Sequence, residues 1–440
     1  MATREWLGNA AAVKQVNTWL FAGTWEATDV INITINSKTL SVVAGSTVTA
    51  TVAATVQAAL AASTYAEFSE ITWTIDTATI TGTGVTAGKP FSCTFATTET
   101  GGGAADAQTI NGAASSTGTA VTAATGPNHA DNTANWTSST LPITGDDVVI
   151  RRPISILYGL TAFAAVTPAT LKIYSQFWAG GARIGLPEIN GSGSTAYPEY
   201  RNKFLQWSGA TLCEIGLGES TGGSSLINLD FGTGTTAITV HRTPQSADQA
   251  RPTVCLIVNP GTVSNGNLEV LSGSVGVGFY NESCKVVPKI GYRDNQASDA
   301  RVYFGPNVTF GATFDQSGGI VEINSATTLI TKTGGTLTIN GTGAHPAVNN
   351  FEGLIAYNST GTLAGSAVTV IGGKGEFTFT QDMSAKTVTN VFQLSPGAIL
   401  DDSHGRVQSG GNPNLSWRLL NCRMSDVTIR TPVNRTYTIS

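Results

Sequence analysis

The sequence has little charge. Only 12% of its 440 residues are Asp, Glu, Lys or Arg, and the formal net charge is −5. Proteins that bind nucleic acid neutralise its phosphates with clusters of Lys and Arg, and here the longest basic run is the pair Arg151 and Arg152. The sequence therefore predicts that neither DNA nor RNA is a direct partner.

Long apolar runs are also absent. No stretch reaches the roughly 18 apolar residues that a membrane-spanning helix needs. A secretory signal needs an unbroken apolar segment near the N-terminus, and Arg4, Glu5 and Lys14 interrupt that region. We therefore expect no membrane insertion and no export by a signal peptide, so that the protein is made in the cytoplasm.

Cysteine is scarce, and its spacing forms no motif. The five cysteines are widely separated and match neither a CxxC pair nor the Cys/His spacing of a zinc site. They are Cys93, Cys213, Cys255, Cys284 and Cys422. Because an isolated cysteine packs well as a small apolar residue, the sequence predicts buried free thiols, no metal site and no cofactor.

The residues that are abundant favour a mainly β protein. Glycine accounts for 50 residues, and much of the rest is Thr, Ala, Ser and Asn, so strong helix formers are few. Apolar residues still make up 41% of the chain, with 8 Trp, 10 Tyr and 16 Phe. This apolar content is enough to build cores, so we expect a chain that is folded nearly throughout.

The first third of the chain divides into three parts by pattern. Residues 1–27 form a short N-terminal arm, and residues 99–131 are a Gly/Ala/Thr-rich linker that can bury little. Between them, residues 28–98 predict a small α+β module in which one helix packs on an antiparallel sheet, in the order ββαβββ. Its elements are predicted at 30–35, 39–43, 51–60, 70–75, 78–82 and 90–95.

Residues 132–440 show strand-sized apolar runs, such as 320–323, 336–339 and 376–379. Spacings of roughly eight to twenty residues fit the rungs of a parallel β-helix, or β-solenoid, in which stacked rungs share one core. Glycines such as Gly334 and Gly335 suit its corners. Antiparallel β-sandwich or jelly-roll domains are the alternative, but few Asn-Gly or Asp-Gly turns join neighbouring runs as hairpins would require.

One segment resembles a known family of structures. Residues 132–150 contain Trp136, Pro142 and the Gly145–Asp146 turn before an apolar strand, and are similar to the pattern that opens many β-solenoids in phage and bacterial surface proteins. The resemblance implies that Trp136 caps the first rung and that the Gly-Asp turn feeds its first strand. The preceding module resembles small modules that recur in phage virion and tail proteins.

These resemblances imply a bacteriophage virion structural protein with a pectate-lyase-like parallel β-helix, used as a capsid decoration or a tail appendage. Such subunits are commonly homotrimers of solenoids packed side by side. We expect the N-terminal part to dock to other virion proteins of the capsid or tail. Its tryptophans Trp6, Trp19 and Trp25 are the predicted anchors, because aromatic side chains dominate the binding energy of interfaces.

An enzymatic role is the main alternative, since tailspike polysaccharide depolymerases also use β-helices with carboxylates in a groove. The candidate carboxylates are Asp294, Asp299, Asp315, Asp382, Asp401 and Asp402. Asp401 and Asp402 lie close to His404, which could supply acid/base chemistry. Adjacent residues of an extended chain point to opposite faces, so a turn is favoured and no catalytic residue is predicted.

Other polar and aromatic residues favour structural roles. Asp146 and Asp147 are predicted to form the turn that starts a strand, and the isolated His129, His241 and His345 lack the spacing of metal ligands.

Aromatic side chains in a loop-like region leave open a host surface glycan as a further partner, because they can stack on sugar rings. They are Trp178, Tyr197, Tyr200 and Trp207. A bacterial surface adhesin is the third hypothesis, against which the missing export signal argues.

Overall fold

The structure is a computed structural model. It describes residues 1–100, 107–218, 226–234, 237–244, 251–261, 266–291, 299–311, 313–363, 369–408, 416–432 and 438–439. Short strands dominate these residues, and α1 is the one α-helix among them; the other helical segments are short 3-10 turns. These turns are Phe68–Glu70, Thr133–Asn135, Thr137–Ser139, Ser175–Gly181, Gly193–Thr195 and Met424–Asp426.

The first ten strands and the helix lie before residue 123. They are β1 (Thr3–Glu5), β2 (Val16–Ala22), β3 (Val30–Ile35), β4 (Lys38–Val43), α1 (Thr49–Ala61), β5 (Ile71–Asp76), β6 (Thr79–Gly84), β7 (Cys93–Thr98), β8 (Thr109–Ile110), β9 (Ser115–Ser116) and β10 (Thr119–Thr122). From β3 to β7 the order is the predicted ββαβββ. We call β2 to β10 with α1 the N-terminal module.

The module contains two antiparallel sheets where the sequence predicted one. The first has the order β4-β3-β7-β9, and the second has the order β10-β2-β6-β5 with β8 beside β2. Their apolar rows share one core, in which the rings of Trp19 and Phe95 stack with centroids 4.7 Å apart. Val52, Val56 and Leu60 of α1 are buried in the same core.

The predicted arm and linker are wrong, because both segments are built into sheets. β1 pairs in parallel with residues 147–149, and β2 lies between β6 and β10. From the predicted linker, β8 and β10 pair with β2, while β9 pairs with β7. The aromatic side chains of β2 gain a buried core by this arrangement, and short Ser, Thr and Ala segments suffice for edge strands.

The remaining strands follow residue 146. They are β11 (Asp147–Ile150), β12 (Thr170–Tyr174), β13 (Ile189–Asn190), β14 (Tyr197–Pro198), β15 (Leu205–Gln206), β16 (Leu212–Leu217), β17 (Ile227–Asp230), β18 (Ala237–Val240), β19 (Val254–Ile257), β20 (Gly266–Val270), β21 (Ser274–Val277), β22 (Cys284–Ile290), β23 (Arg301–Phe304), β24 (Val308–Phe310), β25 (Phe314–Gln316), β26 (Ile320–Ile323), β27 (Ile330–Lys332), β28 (Thr336–Ile339), β29 (Val348–Tyr357), β30 (Thr369–Thr378), β31 (Lys386–Thr387), β32 (Val391–Leu394), β33 (Ile399–Asp401), β34 (Val407–Gln408), β35 (Ser416–Leu419), β36 (Thr428–Arg430) and β37 (Thr438–Ile439).

Most of these strands, with β1, form one sheet of 24 strands. Many of these strands pair in register with the second strand after them in the chain, as β16 does with β18 and β17 with β19. The longer β29 and β30 take part in both of the ladders that result. All register pairings described in this sheet are parallel, so the alternative of antiparallel domains is wrong for this region.

Parallel pairing places similar residues beside one another on neighbouring strands. Val302 lies beside Val321, Val321 beside Leu337, Leu337 beside Ile355, and Ile355 beside Phe377, all buried. With neighbouring strands about 4.8 Å apart, these columns form one hydrophobic core that runs from Trp6 to Trp417.

Glycine is required where this chain bends. Gly319, Gly335 and Gly353 occupy successive turns and have φ of 72°, 73° and 81°. A side chain on Gly335 would clash with the carbonyl oxygen of Gly319, and one on Gly353 with that of Gly335. The predicted corner role of Gly335 therefore agrees with its backbone.

Candidate ligand-binding groove

The three predicted docking tryptophans are buried within the chain itself. Trp6 meets Trp136 edge-on at 5.1 Å between ring centroids. Trp19 stacks in the module core, and Trp25 stacks on Phe21 at 5.6 Å. All three are at most 1% exposed. The prediction that they anchor the chain to other virion proteins is wrong, because their apolar surface is already used inside the fold.

An aromatic stack closes the β1 end of the parallel sheet's core. Trp136 packs against Phe163 at 5.5 Å, and Phe163 stacks on Trp207 at 4.6 Å. The indole nitrogens of Trp6 and Trp136 donate to the carbonyl oxygens of Ile154 and Ala130. Trp136 therefore lies where the resemblance implied a capping residue.

Asp146 holds the N-terminus on this end. Its carboxylate accepts hydrogen bonds from the Ala2 backbone amide and from Arg4 Nε, both at 3.1 Å, and from the Ile143 amide. Burial opposes ionisation, but the bonds from Arg4 and the two amides outweigh it and hold the pKa of Asp146 below its usual value. The predicted turn role is found, with a tie to the N-terminus added.

Asp401 and Asp402 serve separate structural contacts. Asp401 accepts from Arg430 Nη1 at 3.0 Å and from the Ser403 amide. Burial raises its pKa, but these bonds keep the pKa of Asp401 below its ordinary value. Asp402 accepts from the Arg406 amide at 2.6 Å, and His404 is exposed. The cluster is the turn that the sequence favoured.

The other candidate carboxylates are dispersed. Asp299 bonds to the hydroxyl of Ser272, and Asp382 is paired with Lys386. Asp315 lies beside Lys289 in the strand register. Asp294 lies outside the described residues. Those of the six that the structure describes, Asp401 and Asp402 included, are therefore not gathered in a common cleft.

The three histidines occupy unrelated surroundings. His129 Nε2 contacts the Gly88 carbonyl at 2.8 Å, and His241 lies 3.3 Å from Glu214. His345 is fully buried between the hydroxyls of Thr327 and Ser359. Burial lowers the pKa of His345 to about 4, so this imidazole is neutral at pH 7.

Three of the four aromatic residues considered for glycan stacking are buried. Trp178, Tyr197 and Trp207 are at most 5% exposed, whereas Tyr200 is 47% exposed. Trp207 belongs to the aromatic stack described above. The predicted glycan-stacking set is therefore wrong for these three residues, because the fold uses their rings in its own cores.

A different group of aromatics lines a surface groove. After β21, Gly278 has φ of 59° and turns the chain so that Phe279 and Tyr280 lie over the outer face of the parallel sheet. A cavity of about 300 Å³ opens there, walled by Phe279, Tyr280, Glu188 and Arg251. We call this cavity and its two neighbours the groove.

The neighbouring cavities extend the groove in both directions. One of about 540 Å³ adds Lys203, whose Nζ lies 5.3 Å above the Tyr280 ring. The other, of about 430 Å³, is lined by Arg301, Tyr303 and Glu322. The Phe279 and Tyr303 rings are 5.2 Å apart. Aromatic faces beside charged groups suit a ligand with both apolar faces and hydroxyls, such as a sugar ring.

Glu282 directly follows the groove residue Asn281 and interacts electrostatically with a second carboxyl group, that of Asp230. Glu282 accepts a hydrogen bond from the Tyr280 amide at 2.9 Å, and Asp230 accepts one from the Gly232 amide. Burial raises the pKa of both carboxyls, and the charge of Asp230 raises that of Glu282 further. Burial also raises the pKa of the Tyr280 phenol, which therefore remains a neutral hydrogen-bonding group.

Sequence reasoning missed every one of these groove residues. The local signal was slight: a glycine followed by the adjacent aromatics Phe279 and Tyr280 after a strand. Glu188 and Lys203 come from a segment far earlier in the chain, and only the fold brings them to the same place.

The chain has no match among family models, curated proteins or solved structures. In the part of the chain that the structure describes, no helix has the length and apolar character needed to cross a membrane.

Proposed function

We propose that the parallel sheet is the wall of a β-solenoid and that the chain is a non-enzymatic structural subunit of a phage particle, either a capsid decoration or a tail fibre or spike component. The observation that carries this proposal is the single core from Trp6 to Trp417. Stacked turns with a continuous core suit a stiff rod, since each turn is supported by its neighbours.

The outer face of the sheet supports a structural role. Its charged side chains pair with those of the next turn: Lys172 with Glu214 at 3.6 Å, and Glu269 with Lys289 at 3.4 Å. A depolymerase would concentrate carboxylates in its cleft, whereas on this face the carboxylates are neutralised by lysines of the neighbouring strands. Paired charges of this kind favour a structural surface.

The module is well placed to dock the rod. It is joined to the sheet's first turns by Arg201 Nη1, which donates to the Pro90 carbonyl at 2.7 Å, and by His129, which contacts Gly88. A load on the module would therefore pass directly to the rod. With the tryptophans buried, docking falls to exposed apolar side chains such as Val43 and Val121, which are 55% and 62% exposed.

Trimerisation fits the sheet's exposed apolar side chains. Ile320, Leu329 and Phe351 are 42–48% exposed, and side-by-side packing of three copies would cover such residues. Sedimentation equilibrium should give three times the chain mass of 45.4 kDa. A monomer at micromolar concentration would contradict the trimer.

Incorporation into particles tests the virion role. Mass spectrometry of purified phage should find the chain at a fixed ratio to capsid or tail proteins. Val43→Asp with Val121→Asp should reduce that ratio strongly, while Leu420→Asp, a change at an exposed apolar residue outside the proposed docking and trimer surfaces, should leave it unchanged. Absence of the wild-type chain from particles would refute the role.

The groove favours a second candidate, a host glycan as ligand or substrate. A carboxyl group with a raised pKa beside an aromatic cavity is the setting of a general acid in glycoside cleavage, and Glu282 with Asp230 fits that description. This is the tailspike depolymerase alternative, now on different residues; binding without cleavage would favour an adhesin.

Incubation with host capsular polysaccharide or lipopolysaccharide separates these functions. We expect no new reducing ends from the wild-type protein. Reducing ends that disappear in Glu282→Gln but persist in Asp401→Asn would overturn the non-enzymatic proposal. Binding lost on changing Tyr280 to Ala, without any cleavage, would assign the groove to adhesion.

A further inference from the structure

Three acidic residues of the module come together although they are distant in sequence. Glu26 and Asp29 lie in the loop between β2 and β3, and Glu99 directly follows β7. One carboxylate oxygen from each lies within 4.8 Å of the other two. Three like charges at this distance repel one another unless a cation or protons neutralise them.

Asp29 gives the cluster its second, independent feature. The residue is 0% exposed, and its Oδ2 accepts from the Glu26 backbone amide at 2.7 Å. Its Oδ1 is buried without any hydrogen-bond partner. A buried carboxylate oxygen left without a partner is costly, so such atoms are normally hydrogen-bonded or bound to metal.

The carboxylates of Glu26 and Asp29 have no compensating cation in the part of the chain that the structure describes. Among the described residues, no Lys, Arg or His forms an ion pair with Glu26 or Asp29. The loop itself is held in place by its backbone: the Ala44 amide donates to the Asp29 carbonyl at 2.8 Å, and the Gly45 amide to the Ala27 carbonyl at 2.9 Å. The acidic pocket is therefore preformed.

We propose that Glu26, Asp29 and Glu99 bind one Ca²⁺ ion. Calcium bonds to oxygen at about 2.4 Å, so two of its ligands lie up to about 4.8 Å apart, and the three oxygens satisfy that limit. Carboxylates alone, without His or Cys, suit a hard cation better than Zn²⁺. Mg²⁺ keeps several of its waters and is usually held by only one or two carboxylates, so three carboxylates favour Ca²⁺.

The ion would join the two sheets of the module. The loop that carries Glu26 and Asp29 leaves β2 of the second sheet and enters β3 of the first, while Glu99 directly follows β7, which pairs with β3. Calcium would clamp this edge next to the buried Trp25. The site is independent of the virion proposal, since it concerns how the module is held together.

Calcium titration with matched variants tests the site. By calorimetry on the full chain, wild type should bind one Ca²⁺, and at a hundred times Kd calcium should shift the unfolding equilibrium about 100-fold. Asp29→Asn should lower the affinity roughly tenfold or more, because the number of charged ligands sets it. Glu67→Gln should bind as wild type, since Glu67 is a similarly buried carboxyl with an unpartnered oxygen outside the cluster.

Thermal unfolding in EDTA gives a readout that does not depend on the metal. Without calcium, Asp29→Asn should melt no lower than wild type, because the change relieves repulsion. If Asp29→Asn fails to fold, Glu26→Gln and Glu99→Gln carry the same test. Any of three results would overturn the proposal. The first is no binding by the wild type at about 10 mM calcium, which is above the Kd range of protein sites. The others are undiminished affinity in these variants and binding of MgCl₂ by the wild type in preference to CaCl₂.

Discussion

In the module, β3 lies between β4 and β7 and the helix packs on the same core, so both sheets and the helix share one set of buried residues. In the parallel sheet, a strand such as β26 pairs in register with β23 on one side and β28 on the other. Damage to the first arrangement should spread through the module, whereas damage to the second should stay near the altered turn. The module is therefore stabilised as a whole, whereas each part of the parallel sheet is stabilised mainly by the strands next to it.

Removing one buried phenylalanine from each region tests this contrast with the largest expected effect. Phe95 packs on Trp19 in the module, and Phe377 packs on Phe392 in the sheet; both are 0% exposed. Either change to alanine leaves a cavity, so we expect each to lower the free energy of unfolding by about 3–5 kcal/mol. Guanidinium unfolding measures the loss.

Hydrogen exchange then locates the damage. Phe95→Ala should weaken protection from β2 to β7, while Phe377→Ala should weaken the adjoining turns and leave β11 to β16 protected. Uniform loss of protection in Phe377→Ala would refute local cohesion. Tyr200→Ala serves as the control, because this ring is 47% exposed and its loss should cost under about 0.5 kcal/mol.

Glycine substitution compares what each region can absorb. A methyl group on Gly82 of the module would meet the rings of Trp73 and Trp19, whereas one on Gly335 would meet backbone and carry a φ of 73°. The tryptophan rings can shift to accommodate a methyl group, whereas the backbone packed around Gly335 cannot. We expect Gly82→Ala to lower the free energy of unfolding by about 1–3 kcal/mol through overpacking. In Gly335→Ala, left-handed strain of about 1–2 kcal/mol should add to the cost of the backbone clash. Urea unfolding measures both losses.

Gly180 separates strain from clash, since its φ is 72° and nothing lies within 4 Å of an added methyl. Gly180→Ala should therefore show the strain alone, about 1–2 kcal/mol. Equal costs at Gly180 and Gly335 would mean that the stacked turns can part to admit a side chain.

Acid should weaken the parallel region first through His345. The pKa of this buried imidazole is about 4 when folded against an ordinary value of 6.5. Between these values the unfolded chain binds more protons, so the stability is complete above pH 6.5 and is lost as pH falls toward 4. At pH 5 the loss should be about 2 kcal/mol.

Urea unfolding of wild type and His345→Gln at pH 7 and pH 5 isolates this contribution. The wild type should lose about 2 kcal/mol more than the variant over that interval, and exchange should report the loss near β28 and β29. The module contains no histidine and serves as the internal reference. An equal loss in both proteins would assign the acid sensitivity to other groups.

Much of the parallel region was accessible from local pattern. The runs predicted at 320–323 and 336–339 are β26 and β28, since alternating apolar residues can face a core only in extended chain. The corner role of Gly335 was predictable for a similar reason. The scarcity of tight hairpin turns correctly favoured parallel pairing over antiparallel domains.

Contacts between distant segments were not accessible. Trp6 finds Trp136, and β2 finds β6 and β10, with no local mark of either partnership. Lys332 is another case: the alternation of β27 turns it inward, where it donates to the Glu352 carbonyl, and burial lowers its pKa to about 8. The groove likewise joins side chains from segments that only the fold brings together.

The outer charges of the sheet offer the smallest test. Glu269 and Lys289 lie on neighbouring turns, 3.4 Å apart and partly exposed. Exposed pairs contribute about 0.2–1 kcal/mol and are screened by salt, so Glu269→Gln should lose no more than that at low salt and nothing at 1 M NaCl. Urea unfolding at both salt concentrations measures it. A loss of 3 kcal/mol or more that persists in salt would mean that pairing between turns, and not the core alone, holds the sheet together.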